Sequence, residues 1–202
     1  MSDTLDLFGP QPRRPLRGER LFYAFLLDED DARRVGQFGQ DFLDENNFQG
    51  RLLPENRRHI SLHHLGDHRH LRSSRVYAAE KAGDRISMSA FEVALDAIMS
   101  FGAMPKPGRT PGYPLVLHGR GEGLFELHAK LGIAMEQYGM RAFHDFMPHL
   151  TLSYGEWPVL ARPIKPIWVP VTGFCLIHSR LGLTEYRILK RWTLNKPRTM
   201  LH

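Results

Sequence analysis

Two short segments, ninety residues apart, constrain this chain more than any other feature. They are His59-Ile60-Ser61-Leu62 and His149-Leu150-Thr151-Leu152. Each alternates polar and aliphatic side chains, the period of a strand with one buried face. The histidine and the hydroxyl share one face, while Ile60, Leu62, Leu150 and Leu152 take the other. Any fold that buries those aliphatic faces holds two such strands, one from each half of the chain.

The surrounding sequence supplies partners. Leu21 to Leu27 is a short apolar run that predicts a buried strand. Asp28 to Asp31 then open a helix carrying Val35, Phe38 and Phe42. Arg58 to Gly66 is a strand ending in a glycine turn, and Val76 to Lys81 a second helix that stops at Gly83. Strands are expected over Ser87–Ser100 and Pro114–His118, with a Pro- and Gly-rich loop from Gly102 to Gly112 between them. A third helix places Leu124, Leu127, Leu131 and Met135 three and four apart. Leu150 to Tyr154 is a strand, and two more follow around Val171–His178 and Tyr186–Leu194. Helices and runs of successive strands are mixed, so the class is α+β. Each half contains a helix, a loop and a strand that begins with histidine, which is a weak internal duplication. Trp168 and Trp192 are expected to pack the core or close the last hairpin. Residues 1–19, with Pro10, Pro12 and Pro15 among arginines, read as a disordered tail, and residues 20–202 as a single domain.

Composition narrows the class of function. Among 202 residues no apolar run approaches the ~20 that cross a bilayer. The N-terminus is acidic and lacks a secretory pattern, so a cytoplasmic location without membrane contact is expected. Cys175 is the sole cysteine, which rules out an intrachain disulfide and a thiolate-rich metal site. Lys and Arg number 27 against 22 Asp and Glu, a net +5 that suits polyanions weakly.

The paired segments carry the chemistry. Two imidazoles on two strands can flank one phosphorus, one taking a proton from a nucleophile and the other giving a proton to the leaving oxygen. An ordinary imidazole pKa of ~6.5 lets both protonation states exist near neutrality. The hydroxyls of Ser61 and Thr151 can donate to nonbridging phosphate oxygens. Neither a metal nor another cofactor is required. By simple alternation His63 shares the face of His59 and Ser61, so it either lines the cleft or is an exposed strand-end residue. Neighbouring His63 and His64 point oppositely, so the stretch through Asp67, His68 and His70 reads as a solvated turn rather than a metal site. Tyr23 is either a base-stacking ring or a core aromatic.

Arg58-His59-Ile60-Ser61-Leu62 with Leu65-Gly66, and Pro148-His149-Leu150-Thr151-Leu152, resemble the paired signatures of the two-histidine phosphoesterases, within them most closely the LigT-like RNA 2',3'-cyclic phosphodiesterases, also called 2'-5' RNA ligases. Arg20 to Ala24 resembles the opening strand of that family, Leu53 to Asn56 its approach to the first signature, and Leu176 to Ser179 with Tyr186 to Trp192 its closing hairpin. The resemblance implies a bilobal, pseudo-symmetric fold of two antiparallel-sheet lobes, with helices on the outer faces and a central cleft. It implies a monomer acting on RNA ends or nucleotides that carry a cyclic phosphate, with release of 2'-phosphates and a reverse 2'-5' ligation. His59 would be the acid and His149 the base. Two departures stand out. Ser61 replaces the commoner Thr, and Tyr154, preceded by Ser153, stands where a basic residue is frequent; both are candidate lining residues. A non-catalytic RNA- or nucleotide-binding module, and a phosphodiesterase of 2'-5' linked or other small esters, are the alternatives.

Overall fold

The computed structural model describes residues 18–48, 50–102, 112–181, 183 and 185–195. Nearly all of the expected tail and most of the 102–112 loop lie outside these residues. The elements run β1 (Glu19–Leu26), α1 (Glu29–Glu45), β2 (Gly50–Leu52), β3 (His59–His68), α2 (Ser73–Gly83), β4 (Phe91–Ser100) and β5 (Tyr113–Arg120). Then follow α3 (Glu122–Gln137), β6 (His149–Gly155), β7 (Arg162–Val171), β8 (Gly173–Arg180) and β9 (Glu185–Thr193). The class is α+β, as expected.

The strands are ordered β7-β4-β5-β6-β3-β1-β8-β9, with β2 added beside β6, and every pairing within named strands is antiparallel. The order reads as two four-stranded halves in mirrored sequence: β3-β1-β8-β9 and β6-β5-β4-β7. In each half a strand, a helix and an antiparallel neighbour recur, as β1-α1-β3 and β5-α3-β6. The expectation of two separate sheets needs refinement. The halves join where Ile60 of β3 pairs with Leu150 of β6. They also share one core, to which α1, α2 and α3 all contribute.

Local chemistry explains the elements. Asp28 caps α1, its carboxylate accepting from the Asp31 amide at 2.8 Å, and acidic residues fill the first turn, where the helix dipole favours them. Strand β1 is apolar from Leu21 to Leu26 because both faces of that stretch are covered. Leu21, Tyr23 and Phe25 join the helix-side core, and Phe22 and Ala24 pack with Cys175 and Ile177 on the opposite face. The Cys175 thiol is buried, and burial pushes its pKa up to about 12. Strand β7 is not legible in the sequence, since Pro163, Pro166 and Pro170 interrupt its pattern. It is the outermost strand beyond β4, where a missing amide donor is tolerated. Trp168 lies on this strand and is 54% exposed, contrary to the core role expected of it. Trp192 does pack inside, stacked on Phe174 at 4.9 Å with its indole N–H donating to Asp84.

Candidate active site

Matching β-bulges shape the two signature strands. Tyr23 of β1 faces His63, and Ala24 faces Ser61, so Leu62 is an extra residue in β3. Leu115 of β5 faces Ser153, and Val116 faces Thr151, so Leu152 is the corresponding extra residue in β6. An added residue reverses the phase of the side chains beyond it. Simple alternation therefore fails after Ser61 and after Thr151. His63 and Ser153 turn inward, and His64 and Tyr154 emerge on the face of the histidines.

The Ile60–Leu150 pairing brings the two signatures together. Because the strands are antiparallel, His59 falls on the Thr151 side and His149 on the Ser61 side. The two imidazoles are then diagonal neighbours on one face, a relationship that spaces the residues by roughly 7–8 Å with their Cβ atoms somewhat closer. Their bonding is also matched. His59 Nδ1 donates to the Arg57 carbonyl at 2.7 Å, and His149 Nδ1 donates to the Met147 carbonyl at 2.8 Å. Each ring thereby bonds the carbonyl two residues before it. In the neutral ring this places the proton on Nδ1 and leaves Nε2 free to accept one. His59 Nε2 lies 3.2 Å from Ser61 Oγ.

Both imidazoles are held below the ordinary pKa. For His59 burial is the main cause, partly offset by the bond to Arg57 O, and the charges of His149 and Arg57 push in the same direction as burial. For His149 burial again leads, with the Met147 bond opposing and His118 adding to the depression. His118 lies directly opposite His149 in the β5–β6 register. Phe101 packs against the His149 ring edge-on at 4.7 Å.

Beside His59 opens a cavity of about 390 Å³. Phe22, Ser61 and His64 line it with Arg20, Arg57, Ser179, Arg180, Leu181 and Tyr186. Phe22 and Tyr186 enclose the His59 ring at centroid distances of 5.4 and 5.6 Å. The Arg57 guanidinium lies over Tyr186 at 4.6 Å. Arg20 makes a two-pronged bond to Asp67, at 2.7 and 2.8 Å, and His64 Nε2 donates to the same carboxylate at 3.0 Å. These partners, Arg20 foremost, hold the Asp67 carboxyl well below the usual carboxylate range.

Three expected lining residues are placed elsewhere. Tyr23 is fully buried on the helix side, and its hydroxyl donates to the Ala79 carbonyl in α2. His63 is buried, stacked on His128 of α3 at 3.9 Å, with Nε2 donating to the His128 carbonyl at 2.8 Å. Ser153 is fully buried and donates to the Arg51 carbonyl at 3.0 Å, which fastens β2 to β6. Tyr154 remains on the open face, 55% exposed.

Sequence reading missed Arg57, His64, Arg180 and Tyr186. For His64 the signal was a bulge that sequence does not announce. Arg180 and Tyr186 arrive through the pairing of β8 with β1 and β9. Arg58 is a positioning residue. Its buried guanidinium crosses Gly36 of α1 and donates to the carbonyls of Ala32 and Leu53, tying α1 to the start of β3.

An α+β chain built on one large antiparallel sheet carries a matched imidazole–hydroxyl strand in each half of that sheet. The chain has a LigT-like fold. It is similar to LigT of E. coli, at 24% identity over 89% of this chain and 99% of that one, with a TM-score of 0.64. It is also similar to TT0787 of Thermus thermophilus, at 22% identity over 88% and 98% of the two chains and a TM-score of 0.66. A third similar structure is described as a phosphoesterase, at 23% identity over 89% and 99% and a TM-score of 0.63. E. coli LigT has also been solved with ATP, with 3'-AMP and with phosphate. No protein-family model and no curated protein matches the sequence. No helix among the described residues is long and apolar enough to cross a membrane.

Proposed function

We propose that this protein is a two-histidine phosphodiesterase that opens 2',3'-cyclic phosphates on RNA ends or nucleotides. One observation carries the reading: His59 and His149 occupy equivalent places on converging strands, and each has Nδ1 engaged by a carbonyl so that Nε2 is the working nitrogen. The binding of 3'-AMP and phosphate by E. coli LigT supports it.

The chemistry follows from the asymmetry of the cleft. The cavity lies on the His59 side, so a nucleoside there sets its ribose oxygens against that imidazole. His149 Nε2 takes a proton from water, and the water oxygen attacks phosphorus. The P–O3' bond breaks as His59 Nε2 gives its proton to O3', leaving a 2'-phosphate and a free 3'-hydroxyl. Ser61 and Thr151 donate to the nonbridging oxygens as charge gathers there. Arg57 and Arg180 enrich the cavity in anions. With a 5'-hydroxyl in place of water the same groups keep their roles: His149 takes the 5'-hydroxyl proton, the P–O3' bond breaks as His59 protonates O3', and a 2'-5' linkage forms.

The test is incubation with 2',3'-cyclic, 3',5'-cyclic and 2'-5' linked substrates in EDTA, with identification of the product ends. Selective conversion of 2',3'-cyclic substrates to 2'-phosphates is expected. Tight binding without turnover of any of them would instead make the protein a nucleotide-binding module.

A further inference from the structure

At the far end of β3 the chain gathers positive charge that the cleft does not use. His68, Arg69, His70, Arg72 and Arg75 surround a cavity of about 770 Å³ at the turn into α2. None of the three arginines makes an ion pair among the described residues. Asp67 is the one acid in the lining, and Arg20 already holds it with two bonds. Arg69 and Arg72 are exposed, so packing does not account for them. Like charges left together at a turn repel unless an anion joins them. Tyr138, 39% exposed, adds a flat ring to the same cavity.

We propose that this turn is a docking surface for the single-stranded RNA that leads to the cleft. The inference rests on the cyclic-phosphate reading above and deepens it, since it makes the substrate an RNA end rather than a free nucleotide. Cations for phosphates and an exposed aromatic face for a base are the pairing that single strands require. Asp67 lines this cavity and is bonded by both Arg20 and His64 of the cavity beside His59. His59 opens β3 and His68 closes it, a rise of ~30 Å, and Arg20 and His64 stand between them on the cavity wall. The surface is concave, which suits a strand with protruding bases better than a flat bilayer.

The test uses the full chain and fluorescein-labelled single-stranded RNA of five to ten nucleotides ending in an unreactive 3'-hydroxyl. Anisotropy is read across a salt series for the native protein, for Arg69→Ala/Arg72→Ala/Arg75→Ala and for Tyr138→Ala. The triple variant is expected to bind at least about ten-fold more weakly and to lose about 2 from the log–log salt slope, near 0.7 per phosphate. Tyr138→Ala should weaken binding with the slope retained. Turnover of a 2',3'-cyclic mononucleotide should be unchanged in both. Because Arg75 is half-buried, Arg69→Ala/Arg72→Ala alone, checked by circular dichroism, provides a second reading with a smaller change of slope. Unaltered RNA affinity and slope in these variants would overturn the proposal. So would loss of binding to phosphatidylserine vesicles while RNA affinity stays fixed. If no cyclic mononucleotide is turned over by the native protein, the function proposed above fails, and the RNA titrations still decide whether this surface docks a strand.

Discussion

Ile60 pairs with Leu150, and this contact joins the two halves of the sheet. Both side chains are fully buried in the core beneath the strands. The residue before each is a histidine, and the residue after each carries a hydroxyl on the opposite face. The contact that fixes the core thus also fixes the separation of the two imidazoles. Substitutions at the cleft face can change chemistry with little effect on that contact.

His59→Ala and His149→Ala should each lower kcat/KM on a 2',3'-cyclic nucleotide by about 10²–10⁴-fold, the usual contribution of a general acid or base. Both side chains are partly exposed, so thermal melting should stay close to that of the native protein. Native activity should be the same with and without EDTA. Near-native turnover in either variant would remove that histidine from the mechanism.

The pH profile has a defined sign. His59 must be protonated and His149 neutral, and both pKa values are depressed in the free protein. The maximum of kcat/KM should lie on the acid side of the ordinary imidazole value of ~6.5. A bound phosphate favours the imidazolium, so the falling limb of kcat should lie at higher pH than that of kcat/KM. Arg57→Gln removes a cation that disfavours protonated His59 and should move the falling limb of kcat/KM to higher pH. Rate profiles across pH 4–8 measure all three shifts.

Tyr23→Phe distinguishes a core tyrosine from one that stacks on a base. It removes a buried donor to the Ala79 carbonyl and should cost about 1 kcal/mol in denaturant unfolding. KM and kcat should not move. A raised KM at unchanged stability would return Tyr23 to the cleft.

His63 and His128 make folding sensitive to acid. His128 is sandwiched between His63 and Phe146, and its pKa is lowered to about 4, chiefly by burial and then by the charges of His63 and His144. His63 is lowered as well, by burial first. The unfolded chain binds these protons near pH ~6.5 and the folded one only at lower pH, so stability falls as pH drops from ~6.5 toward 4. His128→Phe should flatten the slope of Tm against pH in that window. An unchanged slope would place the acid sensitivity elsewhere.

The sequence by itself determined the α+β class, nearly all the main elements and the two signatures, because those rest on local periodicity and on which side chains can carry a proton near neutrality. It also contained His64 and Tyr186 without marking them. Only tertiary structure decided that His63, Ser153 and Tyr23 leave the cleft while His64 and Tyr154 stay on it. A bulge is set by register against the neighbouring strand, so an extra residue between Ser61 and His63 in β3 and one between Thr151 and Ser153 in β6 reverse faces that alternation alone would assign. Tyr186 reaches the His59 ring and Arg180 the cavity beside it from the far end of the chain through strand order, a long-range choice governed by how the sheet closes its core. Strand β7 stays hidden in the sequence for the same reason: its prolines are tolerable only at an edge, and an edge exists only once the whole sheet is assembled.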